Sequence, residues 1–170
     1  MSPLRADAER NLRRLLDAAA EVFAEHGPEA SVDEIARRAG VGHATVFRRF
    51  ATKDELIAAV GQERIRTLLA LAEQALANPD AGQALTSFVW GIAELHARER
   101  GLHECISRCE GQELHRAAAE LVRRAQAAGE LRTDVTPEDV EALVGAAVKS
   151  SPPDRWRQHL TVVLDGLKPR

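Results

Sequence analysis

Tyrosine is absent from this 170-residue chain, aromatic residues make up only 4% of it, and runs of β-branched residues are missing. Sheets draw on such residues, so their scarcity argues against a β fold. Cysteine occurs only twice, which does not make a disulfide framework. No apolar run approaches the ~20 residues that span a bilayer, and the N-terminus lacks the apolar core of a secretory signal. The expected location is therefore cytoplasmic, where both thiols stay reduced. Charge of one sign is not in excess either. The 23 Lys and Arg against 26 Asp and Glu leave a net charge of −3, which by itself does not point to nucleic acid. There is no Ser/His/Asp order, no carboxylate pair and no phosphate-binding glycine loop, so no enzyme is expected.

What the chain has in plenty is alanine, leucine, glutamate and arginine, which point to an all-α fold. The most specific stretch is Ser31 to Phe50, SVDEIARRAGVGHATVFRRF. Ser31 with Glu34 has the spacing of a capping box, in which hydroxyl and carboxylate satisfy amides at a helix start. Val32, Ile35, Ala36 and Ala39 follow at the spacing of one buried helical face. Gly40 supplies a left-handed residue to end that helix, and Val41 can plug the turn. A second short helix, about His43 to Phe50, turns Val46 and Phe50 inward. Ala44, Thr45 and Arg48 point the opposite way, flanked by Phe47 and Arg49. Small, hydroxyl and guanidinium side chains on one exposed face suit a DNA major groove, so the segment reads as a helix-turn-helix.

From about Leu12 to Ala59 the chain resembles the TetR family of bacterial transcriptional regulators. LLDAAAEVFAEHG (Leu15 to Gly27) is similar to that family's first helix, and ATKDELIAAV (Ala51 to Val60) to its linker into the fourth. AQAAGELRTDVTPEDVEALV, further on, is similar to the C-terminal domain of one branch of the family. The resemblance implies that the second helix of the motif enters the major groove. Carried over position by position, His43, Ala44 and Thr45 fall at base and phosphate contacts. Phe47, Arg48, Arg49 and Lys53 fall at further groove and phosphate positions. Arg48 is the best candidate for bidentate reading of guanine. Arg49 and Lys53 suit backbone positioning, and amides at the start of the Ser31 helix can add a phosphate contact. The family commonly has tyrosine where this chain has Phe47, and often serine or a similar cap where it has Gly42. Two readings stand for His43, a groove contact or a packing residue at the helix start.

Residues 1 to about 7 read as a disordered arm, ahead of a first helix from about Ala8 to His26. Arg5, Arg10, Arg13 and Arg14 cluster near its start, and Arg48, Arg49 and Lys53 around the second helix of the motif, as a cationic face would require. Thr52 and Glu55 form a second capping box that opens a long helix to about Ala77, and Asn78-Pro79-Asp80 breaks it. Further helices are expected over about Ala81 to Arg98, a short one between Gly101 and Gly111, then Gln112 to Ala128, Pro137 to Lys149 and Pro153 to Leu167. Thr136 serves as N-cap, with Pro137 at the first helical position. The expectation is about nine helices. Residues 1–51 would form the DNA-binding domain, and residues 52–170 a helical bundle for effector binding and dimerisation.

One helix-turn-helix reads a half-site, so a two-fold homodimer on a near-palindromic double-stranded operator is expected. Val140, Leu143, Val144, Ala147 and Val148 form one apolar stripe; Trp156, Leu160, Val163, Leu164 and Leu167 form another. The stripes either meet those of a partner, as the resemblance implies, or close the core of one subunit. The resemblance also implies a small-molecule effector that releases a repressor from DNA. Phe88, Ile92, His96, Cys105 and Cys109 are its candidate lining. An alternative regulator would sense metal or oxidant through HECISRCEGQELH (His103 to His115). The spacings there match no standard zinc motif, and no cofactor or metal site is expected.

Overall fold

The computed structural model describes residues 3–98 and 112–169. Among them are eight α-helices and no strand. They are α1 (Pro3–His26), α2 (Val32–Ala39), α3 (His43–Arg49), α4 (Lys53–Leu76), α5 (Ala81–Arg98), α6 (Gln112–Ala127), α7 (Pro137–Lys149) and α8 (Trp156–Gly166). The all-α architecture is as expected. The short helix foreseen between Gly101 and Gly111 lies outside the described residues.

The chain divides into two compact units, with the change falling between Arg64 and Ile65 inside α4. The first unit is built on α1, whose Leu15, Leu16, Ala19, Val22 and Phe23 form one buried stripe. Against it pack Ile35, Ala36 and Ala39 of α2 and Val46 of α3. Leu56 and Val60 of α4 join the same core. Each fully buried side chain of this size stabilises by about 1.5–3 kcal/mol. α1 is already helical at Pro3, ahead of the expected Ala8, because nothing between Leu4 and Ala8 breaks a helix that α1 already propagates.

The second unit gathers α5 to α8 and the later part of α4. Its core holds Ala72 and Ala75 of α4, Phe88 and Val89 of α5, and Leu121 and Val122 of α6. Val144 and Val148 of α7 and Trp156 and Leu160 of α8 complete it. Polar staples fix the connections. Asp80 Oδ1 accepts from the Gln83 amide at 2.9 Å, which starts α5. Arg124 of α6 donates to the carbonyls of Leu76 and Asn78, both at 2.7 Å, satisfying acceptors left open where α4 ends. Gln126 Nε2 donates to the carbonyls of Arg132 and Val135, holding the loop before α7.

α7 opens with the full reciprocal cap. Thr136 Oγ1 accepts from the Asp139 amide at 3.2 Å, and Asp139 Oδ2 accepts from the Thr136 amide at 2.9 Å. α8 starts at Trp156, later than the expected Pro153, since residues 152–155 form a turn closed by Arg155 N–H to the Pro152 carbonyl at 3.0 Å. No helix among the described residues is long and apolar enough to cross a membrane.

Candidate nucleic-acid interface

Ser31 caps α2 from an extended conformation, and its hydroxyl accepts from the Asp33 amide at 3.2 Å. The reciprocal arm expected from Glu34 is not made. Glu34 instead takes Arg38, one turn on, at 3.2 Å, and lies 3.5 Å from both Arg37 and His26. A guanidinium outbids a backbone amide for a carboxylate, because both partners carry full charge. Arg38 also grips Glu25 of α1 with two bonds of 2.6 and 2.8 Å. That bidentate bond holds the Glu25 carboxyl below its ordinary range and raises Arg38. The two arginines of α2 are thus tied to acids.

The turn follows the expected chemistry. Gly40 sits at φ +69° and ψ +32°, a left-handed conformation that costs other residues strain. The Val41 amide reaches back to the Ala36 carbonyl at 3.0 Å, the bond of a Schellman turn. Arg14 of α1 donates to the neighbouring Ala39 carbonyl at 3.2 Å, so this member of the N-terminal arginine cluster works as a brace inside the unit. A Cβ at Gly40 would meet that guanidinium at 3.3 Å, a second constraint on the position.

α3 is preceded by Gly42 at the N-cap, which offers no side-chain cap. Val46 is fully buried and Phe50 half-buried, which fixes the helix with one face outward. His43, Ala44, Thr45, Phe47, Arg48 and Arg49 are all exposed. His43 is not packed inward: its Nε2 stands 3.2 Å from Asp33 Oδ1, and its ring lies 4.6 Å from that of Phe47. Arg48 and Arg49 form no ion pair with the described residues, unlike Arg37 and Arg38. Lys53 opens α4 and is half-buried. Thr52 Oγ1 caps the Glu55 amide at 3.1 Å, while the Glu55 carboxylate turns to the Ala51 amide at 2.7 Å, one residue before the expected arm of that box.

The second unit holds the remaining candidates. Phe88 is buried in its core, and Ile92 and His96 are half-buried on the same helix. Cys105 and Cys109 lie outside the described residues, as does His103. His115, at the other end of that stretch, is exposed with Nε2 3.4 Å from Glu138. An open cavity of about 410 Å³ is lined by Gln126, Leu131, Arg132, Asp134 and Lys168, among others. Its charges are already matched, Arg132 with Asp134 at 2.6 Å and Lys168 with Asp165 at 2.7 Å. The Trp90 ring of α5 packs 6.0 Å from the Trp156 ring, over which Arg157 sits at 4.5 Å. Only tertiary contact reveals that cluster.

Of the ten residues in the two stripes, Val140, Val144, Ala147, Val148, Trp156, Leu160 and Leu167 are buried within the subunit itself. Val163 and Leu164 are half-buried against the same core. Leu143 is 40% exposed, and Val162, which lies outside both stripes, is 66% exposed.

Comparison with known proteins agrees with this geometry. Residues 15–60 match the family described as bacterial regulatory proteins, tetR family. Residues 80–169 match the C-terminal domain described as transcriptional regulator SbtR-like. A TetR transcription regulatory protein of Mycobacterium vanbaalenii is 35% identical, with a TM-score of 0.76 over 98% of this chain and 100% of that one. A TetR transcriptional regulator of Streptomyces coelicolor is 30% identical, with a TM-score of 0.75 over 92% and 98%. An HTH-type transcriptional repressor of Mycobacterium tuberculosis is 53% identical over 47 residues, which span 27% of this chain and 25% of that one. With both its helix-turn-helix and its C-terminal domain matched, this chain belongs to the TetR family of bacterial transcriptional regulators.

Proposed function

We propose that the protein is a cytoplasmic repressor that binds a near-palindromic DNA operator as a homodimer and leaves it when a small effector binds. The observation that carries the DNA-binding reading is the state of α3. Val46 holds the helix to its unit while Thr45, Arg48 and Arg49 stay exposed, and the two guanidinium groups make no ion pair with the described residues. Arginines free of internal partners, on a helix whose other face is buried, are what reading base edges and phosphates requires. In this reading Arg48 takes guanine and Arg49 takes phosphate, with His43, Ala44, Thr45 and Phe47 beside them. Lys53 and the α2 start that Ser31 caps hold the flanking backbone. Repression is supported by the relative from Mycobacterium tuberculosis, which is named as a repressor.

Dimerisation is supported by apolar surface that the subunit leaves uncovered, Leu143 on α7 and Val162 on α8. The buried members of the two stripes hold these helices in place. A small organic effector would enter the second unit beside α5, near Ile92 and His96. It would act by shifting the population between arrangements that fit the two half-sites and arrangements that do not. Selection of bound sites from a random DNA pool by the purified protein tests the proposal. Enrichment of an inverted repeat is expected. A folded protein that enriches no sequence overturns it.

A further inference from the structure

Phe47 is an unusual occupant of a reading face. It is one of three large apolar side chains that stand exposed among the described residues, at 40%. Its ring lies 4.6 Å from the His43 ring at an interplanar angle of 47°, and His43 Nε2 is held 3.2 Å from Asp33 Oδ1 on α2. The phenyl ring is therefore backed by a second ring that is itself anchored to the neighbouring helix. Ala44, three residues before Phe47, adds an exposed methyl to the same flank. Arg48 lies at the centre of the exposed face, with Thr45 and Arg49 on the far flank.

A phenyl ring offers neither donor nor acceptor. Set against a phosphate or a polar base edge, it would strip water from that group and return nothing. The major groove presents one apolar group, the C5 methyl of thymine. We propose that Phe47, braced by His43, reads a 5-methylpyrimidine, so that each operator half-site carries a thymine recognised through its methyl group. The inference rests on the DNA-binding reading above and adds to it a specificity-determining residue and the chemical group it selects.

The test begins with the enriched site and replaces its thymines one at a time by deoxyuridine, which deletes only the C5 methyl. Burial of one methyl corresponds to about a fourfold change in affinity. One position per half-site is therefore expected to lose about fourfold with the unaltered protein, and about fifteenfold when both half-sites are changed. Phe47→Ala is expected to bind thymine- and uracil-containing sites equally, both more weakly than the unaltered protein binds the thymine site. Because Phe47 is exposed, this variant is expected to keep the fold, which circular dichroism checks. The deoxyuridine arm needs no variant at all.

Loss at no position overturns the proposal. So does a Phe47→Ala protein that still discriminates, since the methyl is then read by another side chain such as Thr45. Both outcomes leave the DNA-binding reading intact. A protein that enriches no site fails that reading first.

Discussion

Single residues of the turn show what could be read in advance and what could not. Gly40 was legible because its left-handed φ is a property few residues tolerate, and the hydrophobic spacing on either side marks where one helix must stop. The Ser31–Glu34 box was only half legible. Its spacing is correct, but Arg38 lies one turn from Glu34, and Glu25 and His26 arrive from α1 to complete the competing cluster. The brace from Arg14 was not legible for the same reason, since its acceptor at Ala39 lies 25 residues away in sequence. Arg48 is the opposite case. It is exposed on α3 and forms no ion pair with the described residues, so its removal should cost the folded chain almost nothing. On an enriched operator, Arg48→Ala is expected to lose about 1–3 kcal/mol of sequence discrimination while keeping weak nonspecific binding. Competition against unrelated duplex measures both. Equal loss of both would assign Arg48 to a phosphate.

Helices and their ends follow sequence where the determinants are local. α5 and α7 start where their flanking signals indicate, Asp80 before one and Thr136-Pro137 before the other. α8 departs from expectation at its start, where Arg155 makes no side-chain cap bond and the turn before it competes. The caps differ enough to be ranked. Thr136 and Asp139 exchange two bonds, whereas Ser31 makes one, at 3.2 Å. Thr136→Ala should therefore destabilise by about 1 kcal/mol or more, and Ser31→Ala by roughly half of that. Urea unfolding read separately on each unit orders the two. A larger loss at Ser31 would mean that Glu34 supports the α2 start more than its contacts with Arg38 indicate.

At the scale of the whole molecule the question is what the α7 and α8 faces do. Apolar periodicity selects residues that must leave water, but it does not say whether the cover comes from the same chain or from a copy. Trp156, Leu160 and Val144 turn out to be covered from within, at 4%, 0% and 3% exposure. A charge at Trp156 would therefore unfold the second unit by an uncompensated burial, and loss of dimer would follow trivially. Val162, at 66% exposure, separates the two effects. In a lone subunit Val162→Glu places its carboxylate in water and changes stability little. In a dimer that covers this face, two such carboxylates meet across the two-fold axis and must be desolvated together. The variant is expected to sediment as a folded monomer and to bind an isolated half-site as the unaltered protein does. It should lose the tight binding to the inverted repeat, because the two half-sites are then filled independently rather than as one linked event. A dimer that persists in this variant would exclude the Val162 face from the interface and turn attention to Leu143 and the remainder of α7.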